Sequence, residues 1–215
     1  MEESLKNKYD SIIFDLDGTL WNSTQRVAVA WETTARSFGD VIKEEITAKT
    51  VESICGLTYD HIFEKLFPYL DTEQRFAFQK MCAKLELEVL SESGGDLYPY
   101  LEETLKYLVA KYKLFVVSNC QSGYIEIFLN TSGLGSYFNG HQCYGTKNQQ
   151  KWQNIRDIMD DHDLKAPVYV GDTIGDFNSS YKAGVPFIFA AYGFGEVDGG
   201  QVATINELKE LTEIL

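Results

Sequence analysis

At 215 residues, with 44% hydrophobic and 13% aromatic content, the chain is long enough for one large domain or a domain carrying an insertion. A net charge of -13 argues against nucleic acid, whose phosphates call for clustered Lys and Arg, and against anionic membrane surfaces. Small phosphate esters stay open, because they bind in a local pocket that supplies its own cation.

The start, Met1-Glu2-Glu3-Ser4-Leu5-Lys6, has no apolar signal core, and no stretch approaches the roughly 18 apolar residues of a membrane span. Cys55, Cys82, Cys120 and Cys143 are widely spaced and form no metal-type pair, which predicts four buried free thiols in a reduced, cytoplasmic protein.

The first predicted element is a buried strand, Ser11-Ile12-Ile13-Phe14. It runs into Asp15-Leu16-Asp17-Gly18-Thr19-Leu20. A strand alternates its faces, so Asp15 and Asp17 share one face while Leu16 points away. Open α/β sheets bind ligands at the carboxyl ends of their strands. Two carboxylates there can divide the work, one as nucleophile and one as general acid and base.

From about Ser23 to Glu92 the pattern is helical. Val27, Ala30, Trp31 and Thr34 fit one face, and Ile62, Phe63, Leu66 and Phe67 another. Asp71-Thr72-Glu73-Gln74 reads as a capping box that opens a helix through Phe78, Cys82, Leu85 and Val89, ended by Ser91 to Gly95.

Helices and strands then alternate. Leu101, Leu105 and Leu108 mark a helix, and Leu114 to Val117 a strand ending at Ser118-Asn119. Tyr124 to Leu129 is predicted helical and Gln142 to Tyr144 extended. Trp152, Ile155, Ile158 and Met159 define an amphipathic helix. Ala166 to Val170 is a strand ending at Gly171-Asp172, Phe177 to Ala183 a helix, Pro186 to Ala190 a strand, and Asn206 to Leu215 a closing helix.

Strands separated by single helices imply right-handed crossovers and a mostly parallel, doubly wound sheet in three layers. The first strand stands alone before the helical stretch. Residues 21–92 are therefore expected to form a second module above the strand ends, with residues 1–20 and 93–215 as the core.

The run Asp15 to Leu20 resembles the first motif of the haloacid dehalogenase-like hydrolases. Ser118-Asn119 resembles their second motif, and Gly171-Asp172-Thr173-Ile174-Gly175-Asp176 their acidic fourth motif. The resemblance covers nearly the whole chain and implies a phosphoglycolate phosphatase-like member with a small helical cap. By that resemblance Asp15 attacks phosphorus, Asp17 handles protons, and the Ser118 hydroxyl with the Asn119 amide grips a phosphate oxygen. Thr19 is placed to orient Asp17.

A cluster of Asp15, Asp17, Asp172 and Asp176 needs a cation, since two unit charges about 4 Å apart repel by about 4 kcal/mol at an effective dielectric near 20. All-oxygen ligands beside a phosphate suit Mg²⁺. The resemblance gives Mg²⁺ the Asp15 carboxylate, the Asp17 backbone carbonyl and Asp172. Asp176 is either a further ligand or a group that holds one.

The family also uses a lysine before a later helix, for which Lys147 and Lys151 are the two candidates. Lys151 is preferred, because it directly precedes the amphipathic helix in a Lys-x-x-Asn-Ile setting shared with some family members. The Lys-Pro pair common in other relatives is missing, and Tyr100 follows Tyr98-Pro99 where capped relatives usually carry Gly. In the cap, the loop Ile54 to Thr58 with Gly56 corresponds to the family's substrate loop, and Arg26 is a candidate to reach the pocket. Ala190 to Gly195 is placed to line the pocket rim. His61 and His162 are expected on the surface and His141 in a loop or strand edge, so none supports a zinc site.

The expected function is Mg²⁺-dependent hydrolysis of a small phosphorylated metabolite through an aspartyl-phosphate. Phosphoglycolate-like acids, sugar phosphates and nucleoside monophosphates all fit. Dehalogenation needs neither a protonating second Asp nor a metal. A phosphosugar mutase and a phospho-accepting regulatory protein without turnover are the alternatives. Oligomeric state is left open.

Overall fold

The structure is a computed structural model that describes residues 5–215; the sequence reading of Met1 to Ser4 lies outside the described residues. β1 (Ser11–Phe14) is buried along its whole length, as a strand covered on both faces must be. β2 (Trp21–Asn22) follows, then four helices, α1 (Thr24–Ser37), α2 (Ala48–Glu52), α3 (Tyr59–Leu66) and α4 (Thr72–Ser93). The chain returns through β3 (Asp96–Leu97) to α5 (Leu101–Leu108), β4 (Lys113–Ser118), α6 (Tyr124–Ser132), β5 (Gly140–Cys143), α7 (Tyr144–Lys147) and α8 (Lys151–Asp161). It closes with β6 (Pro167–Gly171), α9 (Ile174–Ala183), β7 (Phe187–Ala190), β8 (Ala203–Ile205) and α10 (Leu211–Ile214).

Among the described residues the main sheet has six strands in the order β5-β4-β1-β6-β7-β8, all parallel. Side-chain alternation along β1 splits the core into two faces. Ile12 and Phe14 join Val116, Val168 and Val170 under α5, α6 and α10. Ile13 joins Phe115, Val117 and Tyr169 under Ile155 and Ile158 of α8. This is the three-layer, doubly wound parallel sheet that the strand and helix alternation predicts.

Register decides what meets at the strand ends. Phe14 pairs with Val116 on one side and with Val170 on the other. Asp15, Ser118 and Asp172 therefore emerge together from three adjacent strands.

The helices α1 to α4 lie between the two strands of a small antiparallel ribbon, β2 with β3. Their interior is aromatic: the rings of Trp31 and Phe63 lie 5.1 Å apart, as do those of Phe67 and Phe78. Each such pair adds about 0.5–1.5 kcal/mol beyond area burial. The capping box at Asp71 is present, with Asp71 accepting from the Gln74 amide and the Gln74 side chain accepting in return. Along α4, however, the buried positions are Phe78, Cys82, Glu86 and Leu90, while Leu85 and Val89 are half-buried.

Other local expectations shift. The closing segment is not one helix from Asn206: β8 pairs with β7, and only Leu208 to Ile214 turns helical. Cys82 and Cys143 are buried, but Cys55 and Cys120 are half-buried; all four are free. His162 is half-buried, its ring 4.6 Å from that of Phe115, rather than out on the surface. Tyr100 adopts the left-handed conformation (φ 63°), the one that glycine tolerates best.

Candidate active site

Asp15 is 3% exposed, and its backbone amide donates to Val170 O at 2.8 Å. Lys151 is the first residue of α8 and also buried. Its ammonium donates to Asp15 Oδ1 at 2.7 Å and to Asp176 Oδ1 at 2.6 Å. A cation at a helix N-terminus opposes the dipole, and these two carboxylates offset that cost. Lys147, the other candidate, pairs with Asp157 in an exposed bridge.

The electrostatics follow from crowding. Burial, with the charge of Asp176 added, pushes Asp15 up to about 7 against the pull of Lys151. Burial works to lower Lys151, but Asp15 and Asp176 outweigh it and hold its pKa well above the usual lysine value. Burial and the charges of Asp176 and Asp15 push Asp172 well up.

Asp172 is fully buried at the end of β6. Its Oδ1 accepts from Thr19 Oγ1 at 3.3 Å, and its Oδ2 from the Phe194 amide at 2.8 Å. Thr19 thus holds Asp172 rather than Asp17, and it is fully buried away from the cavity. The segment from Ala190 to Gly195 likewise braces Asp172 and does not line the cavity. Gly18 turns the chain here with φ 87°, and a Cβ on it would collide with Asp172 Oδ2.

Asp176 sits in the first turn of α9. Its Oδ2 accepts from the Thr173 amide at 3.0 Å and from Thr173 Oγ1 at 2.6 Å, closing a capping box. Its Oδ1 accepts from Lys151, and Tyr169 Oη lies 3.4 Å away. Tyr169 gives its single hydroxyl hydrogen to Val117 O at 2.8 Å, so three of the four acceptor positions of this carboxylate are filled. Asp15, Asp172 and Asp176 each offer an oxygen within 4.8 Å of the others.

Asp17 is half-buried, and three donors meet on its Oδ1: Trp21 Nε1 at 3.0 Å, Ser23 Oγ at 2.7 Å and Tyr124 Oη at 2.8 Å. Burial raises its pKa and these hydrogen bonds pull it back, with burial ahead.

In front of the carboxylates lies a cavity of about 70 Å³. Asp15, Asp17, Ser118, Asn119 and Gly56 line it, which brings the expected phosphate and cap-loop residues together. Asn119 Nδ2 donates to Gly56 O at 2.7 Å, tying the loop after α2 to the end of β4. Arg26 does not reach the cavity; it pairs with Asp96 at 2.5 Å on the surface.

The sequence reading passed over four lining or bracing residues, Ser23, Tyr59, Glu86 and Tyr124. Glu86 accepts from Trp31, Tyr59 and Gln121, and burial pushes it up to about 7 against those hydrogen bonds. The signal for Glu86 was present, since it continues a four-residue step from Phe78 and Cys82 to Leu90.

The profile of the family described as haloacid dehalogenase-like hydrolase matches residues 12–190. The chain belongs to this family. It is an enzyme, a phosphatase among the haloacid dehalogenase-like hydrolases. It is 30% identical over 191 residues to the phosphoglycolate phosphatase of Aquifex aeolicus (strain VF5), covering 85% of each chain. It is 26% identical over 222 residues to that of Vibrio parahaemolyticus, covering 95% of each. Among solved structures, a predicted phosphoglycolate phosphatase from Haemophilus somnus 129PT shares the fold with a TM-score of 0.85 at 21% identity, over 97% of this chain and 99% of that one. A haloacid dehalogenase-like hydrolase from Streptococcus pneumoniae gives 0.84 at 20% identity, over 96% and 98%. Among the described residues no helix is long and apolar enough to cross a membrane.

Proposed function

We propose that this hydrolase cleaves a small phosphomonoester with Asp15 as nucleophile, Asp17 as acid and base, and Mg²⁺ in the carboxylate cluster. The observation that carries the reading is Lys151, whose buried ammonium bridges Asp15 and Asp176 at the strand ends.

The cluster suits a hard divalent cation: the buried oxygens of Asp15, Asp172 and Asp176 converge, and the one ammonium beside them pairs with only two of the three. Asp15 and Asp172 have unused acceptor positions, and with the Asp17 carbonyl they would hold the ion. Asp176 is anchored by Thr173 and paired with Lys151, so its task is to hold that lysine. When bound, Mg²⁺ supplies Lewis-acid neutralisation of the transferring phosphoryl oxygens.

The residues divide the remaining work. Lys151 occupies Asp15 Oδ1, which leaves Oδ2 to attack phosphorus in line and form an aspartyl-phosphate. Lys151, the Ser118 hydroxyl and the Asn119 amide neutralise the equatorial oxygens as charge develops. The three donors on Asp17 Oδ1 leave Oδ2 to protonate the departing alcohol. It then takes a proton from the water that opens the acyl-phosphate. Residues 21–92 act as the cap over 1–20 and 93–215, with Gly56 bringing its loop onto Asn119. The relatives named phosphoglycolate phosphatase support a small phosphomonoester as the substrate class.

The test is Mg²⁺-dependent phosphate release from a panel of small esters, with EDTA and Asp15→Asn as controls. Release abolished by both is the expected result. Release that survives Asp15→Asn removes the nucleophile assignment. A stable phospho-Asp15 without turnover replaces the hydrolase reading with a phospho-accepting one.

A further inference from the structure

The cavity beyond the phosphate end has an unusual charge balance. Its charged lining residues are Asp15, Asp17 and Glu86, and among the described residues no Lys, Arg or His lines it. The nearby basic groups are spent elsewhere, Arg26 on Asp96, Lys65 on Ser53 O and Lys151 behind Asp15. Much of the remaining wall is apolar or aromatic, including Val27, Trp31, Ile54 and Ile62.

Glu86 is the polar landmark of that wall. It is 3% exposed on α4. Its Oε2 accepts from Trp31 Nε1 at 2.6 Å and from Tyr59 Oη at 2.9 Å. Its Oε1 accepts from Gln121 Nε2 at 2.8 Å. The three donors come from α1, α3 and the loop after β4, so they fix the carboxylate from three sides. Every partner presents a hydrogen to it. Above about pH 7, where it is ionised, Glu86 therefore faces the cavity as an acceptor, with three of its four positions taken and one on Oε1 open.

Among the described residues, the leaving group of a ligand in this cavity meets a fixed acceptor and no lining Lys, Arg or His. A leaving group that carries its own carboxylate would stand beside Glu86 without a counter-charge, and like charges in a desolvated site repel strongly. A leaving group with an ammonium or hydroxyl supplies the donor that Oε1 lacks, and the aromatic wall also favours a cation.

We propose that Glu86 is a specificity-determining residue of this hydrolase, and that the substrate is the phosphomonoester of a short, non-acidic alcohol whose N–H or O–H donor meets Glu86. An amino alcohol or a polyol fits; a hydroxy acid does not. This rests on the phosphomonoesterase reading above and narrows it.

The experiment compares kcat/KM for phosphoethanolamine, glycerol 3-phosphate and 2-phosphoglycolate with Mg²⁺ at about pH 8, where Glu86 is ionised, in the wild type and in Glu86→Gln. The expected wild-type result is at least a roughly tenfold preference for one of the first two esters over phosphoglycolate, a difference of about 1.4 kcal/mol. Glu86→Gln is expected to shrink that preference, mainly through a higher KM for the donor-bearing ester. Phosphoglycolate hydrolysed as well as or better than both overturns the inference and leaves the phosphatase reading intact. An undiminished preference in a folded Glu86→Gln overturns the role of Glu86. Should that variant not fold, the wild-type ratio still decides the substrate class. No release from these esters, with release from p-nitrophenyl phosphate, also overturns it. No release from any of them removes both readings.

Discussion

Tyr124 Oη lies 2.8 Å from Asp17 Oδ1, although the two residues are 107 positions apart. Ser23 Oγ stands 2.7 Å from both atoms, so the residue that caps α1 and the first residue of α6 close on one carboxylate oxygen. The other oxygen of Asp17 is left for chemistry, and the position of Asp17 is set before substrate arrives.

Tyr124→Phe removes one of these bonds. Hydrogen bonds to charged groups contribute about 1.5–3 kcal/mol, so kcat is expected to fall roughly tenfold or more. The Tyr124 bond lowers the Asp17 pKa, and its loss lets that pKa rise further. An Asp17 that must carry a proton then stays protonated to higher pH, and the alkaline limb of the kcat profile moves upward. A pH series on both proteins reads this, and an unmoved limb excludes Asp17 as the titrating acid.

Glu86 makes stability pH-dependent in a defined direction. Its folded pKa is raised from 4.5 to about 7, chiefly by burial. Below about 4.5 the group is protonated in both states. Between there and about 7 the folded state keeps a proton that the unfolded chain has lost. Its contribution therefore falls as pH rises through that window, by roughly 3 kcal/mol in all, and levels off above it. Glu86→Gln does not titrate. Urea unfolding near about pH 5 and about pH 8 is expected to show the stability gap between wild type and variant shifting in the variant's favour at the higher pH.

Gly18→Ala introduces two costs at once, a non-glycine residue at φ 87° and a Cβ driven into Asp172 Oδ2. Left-handed strain alone costs about 1–3 kcal/mol. For a chain of this size each 1 kcal/mol shifts Tm by about 2–4 °C. A calorimetric Tm several degrees lower, together with loss of Mg²⁺-dependent activity, is the expected outcome. An active variant with normal Tm contradicts this packing.

Asn119→Ala cuts the bond to Gly56 O that joins the cap loop to the strand end. A neutral hydrogen bond contributes about 0.5–1.5 kcal/mol, so kcat/KM is expected to drop roughly two- to tenfold. Amide exchange over Ile54 to Thr58 should speed up in the same variant. Unchanged exchange means the loop is held by its apolar contacts alone.

The chemistry-bearing strand ends were legible because their signals are local. An apolar run ending in Asp15 or Asp172 beside a glycine can be read without knowing its neighbours, and so can the capping box at Asp71. The partners of these groups were not legible. Thr19 looked placed for Asp17, two positions away, yet it donates to Asp172 across 153 residues. Arg26 looked like a pocket cation, but Asp96, brought close by the β2–β3 ribbon, captures it on the surface. Glu86 sat on a buried stripe, and an acid there reads as solvated until Trp31, Tyr59 and Gln121 are seen around it.

Periodicity and turn chemistry within a few residues were enough to dictate the parallel α/β core, the helical insertion after the first strand and the acids at the strand ends. Only the folded chain shows that Lys151 bridges Asp15 and Asp176, that Asp17 is locked by Ser23 and Tyr124, and that among the described residues the cavity is lined by carboxylates and by no Lys, Arg or His. Those outcomes depend on strand register and on helix docking, which set ångström distances between residues that the chain keeps far apart.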